Sequence, residues 1–211
     1  MRIALIGNMN NNKFSLMRYF RDLGVDAHLL LYANDGTGSC SHFRPEDDTF
    51  DIKKWKPFIR QMQITNAPSS ALSFPANVML AVYSVTKKML GLNDSYALPV
   101  PKQYIRKCFE SYDYILCCGI ASAFLHCVGI RVDIFSPYAS GIEFFGSPEE
   151  TARINDRFFL YRWLTRKVMV AQSTGLKAVR YVCTADLGLT FTALKELDIV
   201  PTPLAIPMVF K

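Results

Sequence analysis

The sequence predicts an α/β fold with a doubly wound, mostly parallel sheet and helices on both of its faces. Residues 2–7 form an uninterrupted apolar run that ends in Gly7, as strands buried on both faces of a parallel sheet do. Strand-like and helix-like segments then alternate along much of the chain. Half of the 211 residues are hydrophobic and 13% are aromatic, so a sizeable core can be buried.

The first predicted elements form one β-α-β unit. The opening strand is followed by a helix over residues 13–23, whose apolar residues recur at helical spacing. Gly24 stands where a glycine commonly ends a helix, and residues 25–32 form the second strand. Such a unit places a ligand at the carboxyl ends of its strands.

The middle of the chain is less regular, and the alternation returns after it. Residues 34–51 are rich in Gly, Ser, Asp and Pro, which predicts a long surface loop. The remaining helices are predicted at 53–62, 76–90, 102–111, 119–128, 148–171 and 187–197. The remaining strands are predicted at 112–118, 131–136 and 179–183. We therefore expect one Rossmann-like domain over residues 1–199, and the proline-punctuated segment 200–211 predicts a linker toward a further, C-terminal domain.

Charge and cysteine usage narrow the class of protein. The net charge of +6 favours anionic partners. The six cysteines form no C-x-x-C pair, and the three histidines have no metal-ligand spacing, so we expect buried structural thiols and no metal site. The sequence contains neither a signal peptide nor an apolar run of about 20 residues, which predicts a cytoplasmic protein.

The loop after the first strand is the main candidate for ligand binding. It lies at a helix N-terminus, where backbone N–H groups favour anions. Neither G-x-G-x-x-G nor G-K-[ST] is present, so dinucleotide and P-loop fingerprints are absent. The alternative is that Asn12 or a neighbour only caps the helix. The predicted ligand-binding residues here are Gly7, Asn8, Asn10, Asn11, Asn12 and Lys13.

A second candidate region follows two later strands. Residues 134–144 begin at a strand end and run through small residues that let a backbone approach a ligand. Glu143 is predicted to act as a base or to accept a hydrogen bond from a sugar hydroxyl; the alternative is a surface glutamate on a tight turn. Ser122 either caps a helix or touches a ligand. The predicted binding residues are Gly119, Ser122, Tyr138, Ser140 and Gly141.

A basic and aromatic stretch at 53–60 offers a third surface. It suits an anionic membrane or, less well, a nucleic acid. The alternative is a solvated helix face with Trp55 and Phe58 turned inward.

Taken together, these patterns resemble the N-terminal domain of GT-B glycosyltransferases, especially the family-4-like group that builds bacterial surface polysaccharides. The residues that carry the resemblance are Met1 to Asn8, Leu29 to Tyr32, Tyr112 to Gly119, Ser136 to Ile142 and Ile206 to Val209. It spans nearly the whole chain.

The resemblance implies a metal-independent hexosyltransferase that uses a nucleotide-sugar as co-substrate and no cofactor. The nucleotide would lie mainly in a C-terminal domain, and a glycan or lipid-linked acceptor mainly in this one. The loops at 8–12 and 138–143 would face the interdomain cleft, with Glu143 as the candidate catalytic residue. This chain alone would then be inactive and cytoplasmic, with peripheral contact at the membrane face. The alternative is a stand-alone nucleotide- or phosphosugar-binding module without catalysis; a methyltransferase is disfavoured by the absent glycine-rich turn.

Overall fold

A computed structural model describes residues 1–8, 11–33, 44–63, 82, 102–137, 152, 154–156, 159–183 and 194–202. Its strands are β1 (Arg2–Ile6), β2 (Asp26–Ala33), β3 (Ile59–Gln63), β4 (Tyr114–Cys117), β5 (Ile134–Phe135) and β6 (Tyr181–Val182). Its helices are α1 (Asn12–Asp22), α2 (Ile52–Trp55), α3 (Lys102–Phe109), α4 (Ala121–Cys127) and α5 (Phe159–Lys177). The six strands form one sheet in the order β3-β2-β1-β4-β5-β6, and every pairing in it is parallel.

Strand β1 lies in the middle of this sheet and shows why the fold is doubly wound. Its side chains alternate between two hydrophobic clusters, with Ala4 and Ile6 in one and Ile3 and Leu5 in the other. The first cluster contains residues of α3, α4 and α5, and the second contains residues of α1 and α2. Because successive strand residues face opposite sides, helices cover both faces of the sheet. The predicted fold class is confirmed.

The opening β-α-β unit matches its prediction to within two residues at each boundary. β1 pairs with β2 in parallel register from Arg2 opposite Asp26 onward. Gly24 has φ +78°, and its N–H donates to the carbonyl of Arg21 at 2.9 Å, as expected of a glycine that ends a helix. A short chain reversal therefore leads directly from α1 into β2.

The predicted helix at 53–62 is wrong. The chain forms only one helical turn in α2, continues as a 3₁₀ turn over Lys56–Phe58, and then enters β3 at the edge of the sheet. Pairing with β2, from Leu29 opposite Ile59 to Ala33 opposite Gln63, decides the outcome. These partners lie about thirty residues away in sequence, so the local periodicity that suggested a helix was overridden by tertiary pairing.

The later elements follow the predicted alternation with some changes in length. α3, α4, β4, β5 and β6 all form inside the predicted ranges. Helix α5 ends at Lys177 rather than near residue 171, because Gln172 and Leu176 continue its buried face. Of the predicted helix at 187–197, residues 194–196 are helical and 187–193 lie outside the described residues. The predicted helix at 76–90 also lies outside them, apart from Val82.

Helices α4 and α5 are the most closely packed pair of elements on their face. A Cβ placed on Gly175 of α5 would collide with the carbonyl oxygen of Ser122 and lie 2.9 Å from its carbonyl carbon. The same Cβ would lie 3.1 Å from the Cβ of His126. The two backbones therefore touch at this crossing, and only a glycine fits there.

The start of the predicted linker joins the edge of the sheet. Thr202 forms an isolated parallel bridge with Cys183, and its N–H donates to the carbonyl of Val182 at 2.7 Å. Residues 203–211 lie outside the described residues. The role of segment 200–211 as a linker remains a prediction.

Candidate functional site

The order of the strands marks a crevice between β1 and β4. After β1 the chain winds to β2 on one side, whereas after β4 it winds to β5 on the other. In open α/β sheets, ligands bind at such a reversal, outside the carboxyl ends of the strands. The loop that follows Ile6 and the loop that follows Cys117 meet there, because β1 and β4 are paired neighbours.

Two glycines shape the backbone at this crevice. Gly7 has φ +82° and Gly119 has φ +60°, a left-handed conformation that other residues adopt only with strain. A Cβ on Gly7 would lie 2.7 Å from the Sγ of Cys118, closer than side chains pack. Both glycines were predicted binding residues, and the structure places them beside each other at the ends of neighbouring strands.

Side-chain amide groups of the asparagine-rich loop form hydrogen bonds that fix its conformation. The Oδ1 of Asn8 accepts a hydrogen bond from the N–H of Phe14 at 3.0 Å, which caps the start of α1. The Nδ2 of Asn8 donates to the Oδ1 of Asn11 at 2.6 Å. Both side chains are buried. A neighbour of Asn12 thus performs the capping role that was the structural alternative for this loop.

Asn11 connects this loop to another segment. It has φ +57°, a conformation that asparagine tolerates better than most residues, and its Nδ2 donates to the carbonyl of Arg44 at 3.2 Å. Asn12 lies half-buried in the first turn of α1, while Asn10 lies outside the described residues. The asparagines shape the loop, and their contact with a ligand remains a prediction.

Lys13 supplies the positive charge of the crevice. Its side chain is only 4% exposed, and its Nζ donates a hydrogen bond to the Oγ of Ser136, just past the end of β5. Among the described residues no carboxylate forms an ion pair with this ammonium, and the first turn of α1 contains no acidic residue. A buried cation at a helix N-terminus that has no carboxylate partner in the described part of the chain favours an anionic ligand.

Two buried thiols show where the ammonium lies relative to the sheet. Burial raises the pKa of Cys117 well above its ordinary value of 9.0, and the nearby Lys13 partly opposes that rise. Burial likewise raises the pKa of Cys183, and the charge of Lys13 again partly opposes that rise. Both thiols therefore stay protonated at neutral pH. They lie at the carboxyl ends of β4 and β6, and as neutral thiols they do not compensate the charge of Lys13.

Sequence reasoning missed Tyr32, at the carboxyl end of β2. Its Cε1 is 4.0 Å from the place where a Cβ on Gly7 would stand, and its hydroxyl oxygen is 3.9 Å from the equivalent place on Gly119. Its ring packs edge-on against Phe124, with centroids 5.3 Å apart. Because both neighbours lack side chains, an aromatic ring borders the crevice. A tyrosine at the end of a strand next to β1 is the signal that could have identified it.

The other predicted residues lie apart from this cluster or outside the described residues. Ser122 is the second residue of α4, and it does not cap that helix. Its Oγ is buried, with no hydrogen-bond partner among the described residues, so its contact with a ligand remains a prediction. Gln172 of α5 donates to the carbonyl of Gly119 at 3.5 Å and so ties α5 to the crevice. Tyr138, Ser140, Gly141 and Glu143 lie outside the described residues.

His28 forms a separate titratable cluster, away from the crevice. It is buried in β2, as predicted, with Phe58 and Tyr112 edge-on to its ring. Burial lowers the pKa of His28 to about 4; Asp26 opposes the shift, and the cations Arg60, Arg2 and Arg21 reinforce it. This imidazole is neutral at physiological pH and serves the core. His42 lies outside the described residues.

The described cysteines are unpaired. Cys117, Cys118 and Cys183 are buried, and Cys108 and Cys127 are half-buried. Cys40 lies outside the described residues. Burial raises the pKa of Cys108 and of Cys127 as well. These residues pack as small apolar side chains, in keeping with the expected structural thiols.

Comparisons with known proteins add a weak structural likeness. No family model matches the chain, and no curated protein matches it. The crystal structure of LpCGTa in complex with UDP is similar over 94% of this chain, with a TM-score of 0.47 and 9% sequence identity. This chain spans half of the length of that structure. A likeness at this level supports no inference about activity.

Proposed function

We propose that this chain is the N-terminal, acceptor-side half of a GT-B-type glycosyltransferase. It would transfer a hexosyl group from a nucleotide-sugar to a glycan or lipid-linked acceptor in surface polysaccharide synthesis at the cytoplasmic face of the membrane. The observation that carries the proposal is the buried Lys13 at the strand-order reversal, next to the N-terminus of α1. The resemblance of residues 1–8, 29–32, 112–119 and 136–142 to this family selects sugar transfer among the reactions of anionic substrates.

The chemistry of sugar transfer explains what such a crevice does. The acceptor hydroxyl attacks the anomeric carbon, the bond from that carbon to the donor diphosphate breaks, and negative charge grows on the departing diphosphate. A fixed ammonium and a helix N-terminus stabilise that charge without a metal ion. Glu143 would take the proton of the acceptor hydroxyl. The aromatic face of Tyr32 would support an apolar sugar face or a base.

We assign binding and orientation to this crevice and expect that turnover requires a second domain. A nucleotide held mainly by that second domain would meet Lys13 only through its phosphates. We therefore expect the chain alone to bind nucleoside diphosphates weakly and to transfer no sugar.

The first experiment titrates the chain with UDP, GDP and pyrophosphate and follows thermal unfolding. Loss of a charged hydrogen-bond donor costs about 1.5–3 kcal/mol, so Lys13→Met should weaken binding by about ten- to a hundredfold. Lys13→Arg should retain part of the affinity. Lys54→Met removes the same charge from an exposed site and should bind like the parent chain. Equal binding by Lys13→Met and the parent would contradict the assignment of the anion site.

The second experiment separates the transferase from a stand-alone binding module. The same Lys13 site would serve a nucleotide- or phosphosugar-binding module without catalysis. Sugar release and transfer are measured with labelled nucleotide-sugars, first for the chain alone and then with a GT-B C-terminal domain supplied in the same polypeptide. Transfer only in the joined protein supports the transferase, binding without transfer in either form supports the module, and turnover by the chain alone refutes the expected inactivity.

A further inference from the structure

Helix α5 carries an exposed face that the proposed sugar chemistry does not use. Three large apolar side chains stand out from it: Phe159 is 72% exposed, Trp163 is 44% exposed and Val170 is 63% exposed. The cations Arg162, Arg166 and Lys167 are interleaved with them. The nineteen residues of α5 include no aspartate or glutamate. Apolar and cationic groups therefore share one surface without acidic compensation from the helix itself.

The geometry holds these groups at the surface. The ammonium of Lys167 lies 3.8 Å from the centre of the Trp163 ring. Arg166 donates to the Oδ1 of Asn155 at 3.0 Å, and Arg162 donates to the carbonyl of Asn155 at 3.3 Å. An open groove of about 730 Å³ runs along this part of α5 toward the end of α4. The cationic side chains thus lie along this open groove.

The exposed face of α5 lies at the same edge of the sheet as the crevice, namely the edge formed by the carboxyl ends of the strands. A helix that connects parallel strands runs antiparallel to them, so α5 begins on the side of their carboxyl ends. Gln172 is level with the end of β4, because it contacts the carbonyl of Gly119. At 1.5 Å per residue, residues 159–171 extend about 20 Å from that level, away from the amino ends of the strands. The exposed face of α5 and the crevice therefore share one end of the molecule.

We propose that the exposed face of α5 docks the chain on an anionic membrane surface. Aromatic side chains prefer the headgroup boundary, and each lysine or arginine near an anionic leaflet adds to the attraction. Burial of the exposed Phe159 and Val170 against an apolar partner is favourable. A lipid surface with anionic headgroups provides both an apolar phase and negative charge. The contact we propose is a peripheral one, and it does not depend on the sugar chemistry. Among the described residues no helix is both long and apolar enough to cross a membrane.

The basic stretch at 53–60 makes an informative contrast. Trp55 is only 6% exposed, and its ring is covered by Lys54 at 4.4 Å and by Arg18 at 5.6 Å. Phe58 is covered by Arg21 at 3.7 Å. The aromatic rings face inward, as the structural alternative for this stretch predicted. Cations without an apolar face are expected to bind lipid more weakly, so membrane contact is better placed on α5.

The test uses vesicles of phosphatidylcholine with and without phosphatidylglycerol. Trp55→Phe leaves Trp163 as the single tryptophan of the chain, because the sequence has two. Its emission should shift to the blue, and brominated lipid should quench it, when the anionic vesicles are added. Pure phosphatidylcholine vesicles should give a much smaller response. An unchanged emission with anionic vesicles would overturn the proposal.

Two charge variants then locate the surface. Replacing Arg162, Arg166 and Lys167 by glutamine should reduce the partition coefficient in co-sedimentation on the order of a hundredfold, since each cation contributes about fivefold. The matched control replaces Lys53, Lys54 and Lys56 by glutamine, which removes the same charge from exposed positions whose aromatic neighbours face inward. That control should retain binding within a few fold. Equal losses in the two variants would overturn the assignment to α5.

A further variant separates lipid from other anionic partners. Phe159→Ser with Trp163→Ser keeps all cations but removes the apolar anchors, so its residual vesicle binding should be abolished by salt. A single-stranded oligonucleotide serves as the competing anion. Binding of the oligonucleotide through Arg162, Arg166 and Lys167, with no binding to anionic vesicles, would overturn the proposal in favour of a nucleic-acid surface. Sugar transfer is not part of any of these measurements, so their failure leaves the proposed sugar transfer standing.

Discussion

The buried histidine of β2 should make the free energy of unfolding depend on pH in a defined window. In the folded chain the pKa of His28 is about 4, whereas its ordinary value is 6.5. The folded state therefore binds this proton less readily than the unfolded state. The contribution of His28 to the free energy of unfolding is fully present above pH 6.5 and decreases as the pH drops below that value. Below about pH 4 it decreases no further.

The size of the effect follows from the two pKa values. For one group with these values, the linkage relation gives a loss of about 2 kcal/mol between about pH 7 and about pH 5. The cause is chiefly the removal of the ring from water, since its neighbours Phe58 and Tyr112 offer no charge to an imidazolium. The cations Arg60, Arg2 and Arg21 lower the pKa of His28 further. Asp26 raises this pKa but offsets only part of the total lowering.

The assay is urea unfolding at both pH values for the parent chain and for His28→Gln. Any constant destabilisation by the glutamine cancels, because each protein is compared with itself across pH. The parent should lose about 2 kcal/mol more than the variant. Equal losses would refute the reasoning, as would an NMR titration of the folded chain in which His28 titrates near its ordinary pKa.

Two further predictions concern the loop after β1, and urea unfolding near neutral pH measures both. Gly7→Ala should destabilise the chain by about 3 kcal/mol, because strain at φ +82° adds to the collision with Cys118, whereas Gly24→Ala should cost about 1 kcal/mol since nothing stands within 4 Å of it. Similar losses at the two glycines would show that the collision is relieved at no cost. Asn8→Ala should cost about 1–2 kcal/mol, because the N–H of Phe14 loses its cap. A loss near zero would show that the cap does not contribute to stability.

The opening unit could be predicted from the sequence because its signals are local. A continuous apolar run forms β1, helical spacing forms α1, and Gly24 ends that helix at a positive φ. β3 could not be predicted in the same way. Arg60 and Gln61 are both exposed and Met62 is buried, so this strand lacks the simple alternation by which a strand is recognised in a sequence. Its pairing with β2 establishes it as a strand.

The candidate site was predicted in position but not in its contacts. Strand-end loops follow from the alternation of elements, so Gly7, Lys13 and Gly119 could be selected from sequence. The hydrogen bond from Lys13 to Ser136 spans 123 residues and depends on the strand order, which the sequence does not state. Tyr32 lies next to the site because Gly7 and Gly119 have no side chains that would fill the space beside its ring. Such features arise from tertiary placement and not from any local pattern.

The backbone contact at Gly175 has a consequence for how this chain can vary through descent. Any side chain there would push α5 away from Ser122 and would carry with it both Gln172, which holds Gly119, and the exposed face of α5. One substitution would thus disturb both surfaces together. Selection on either surface should preserve this glycine even where the surrounding helix drifts. A glycine at this position is therefore expected in any related chain that keeps both surfaces.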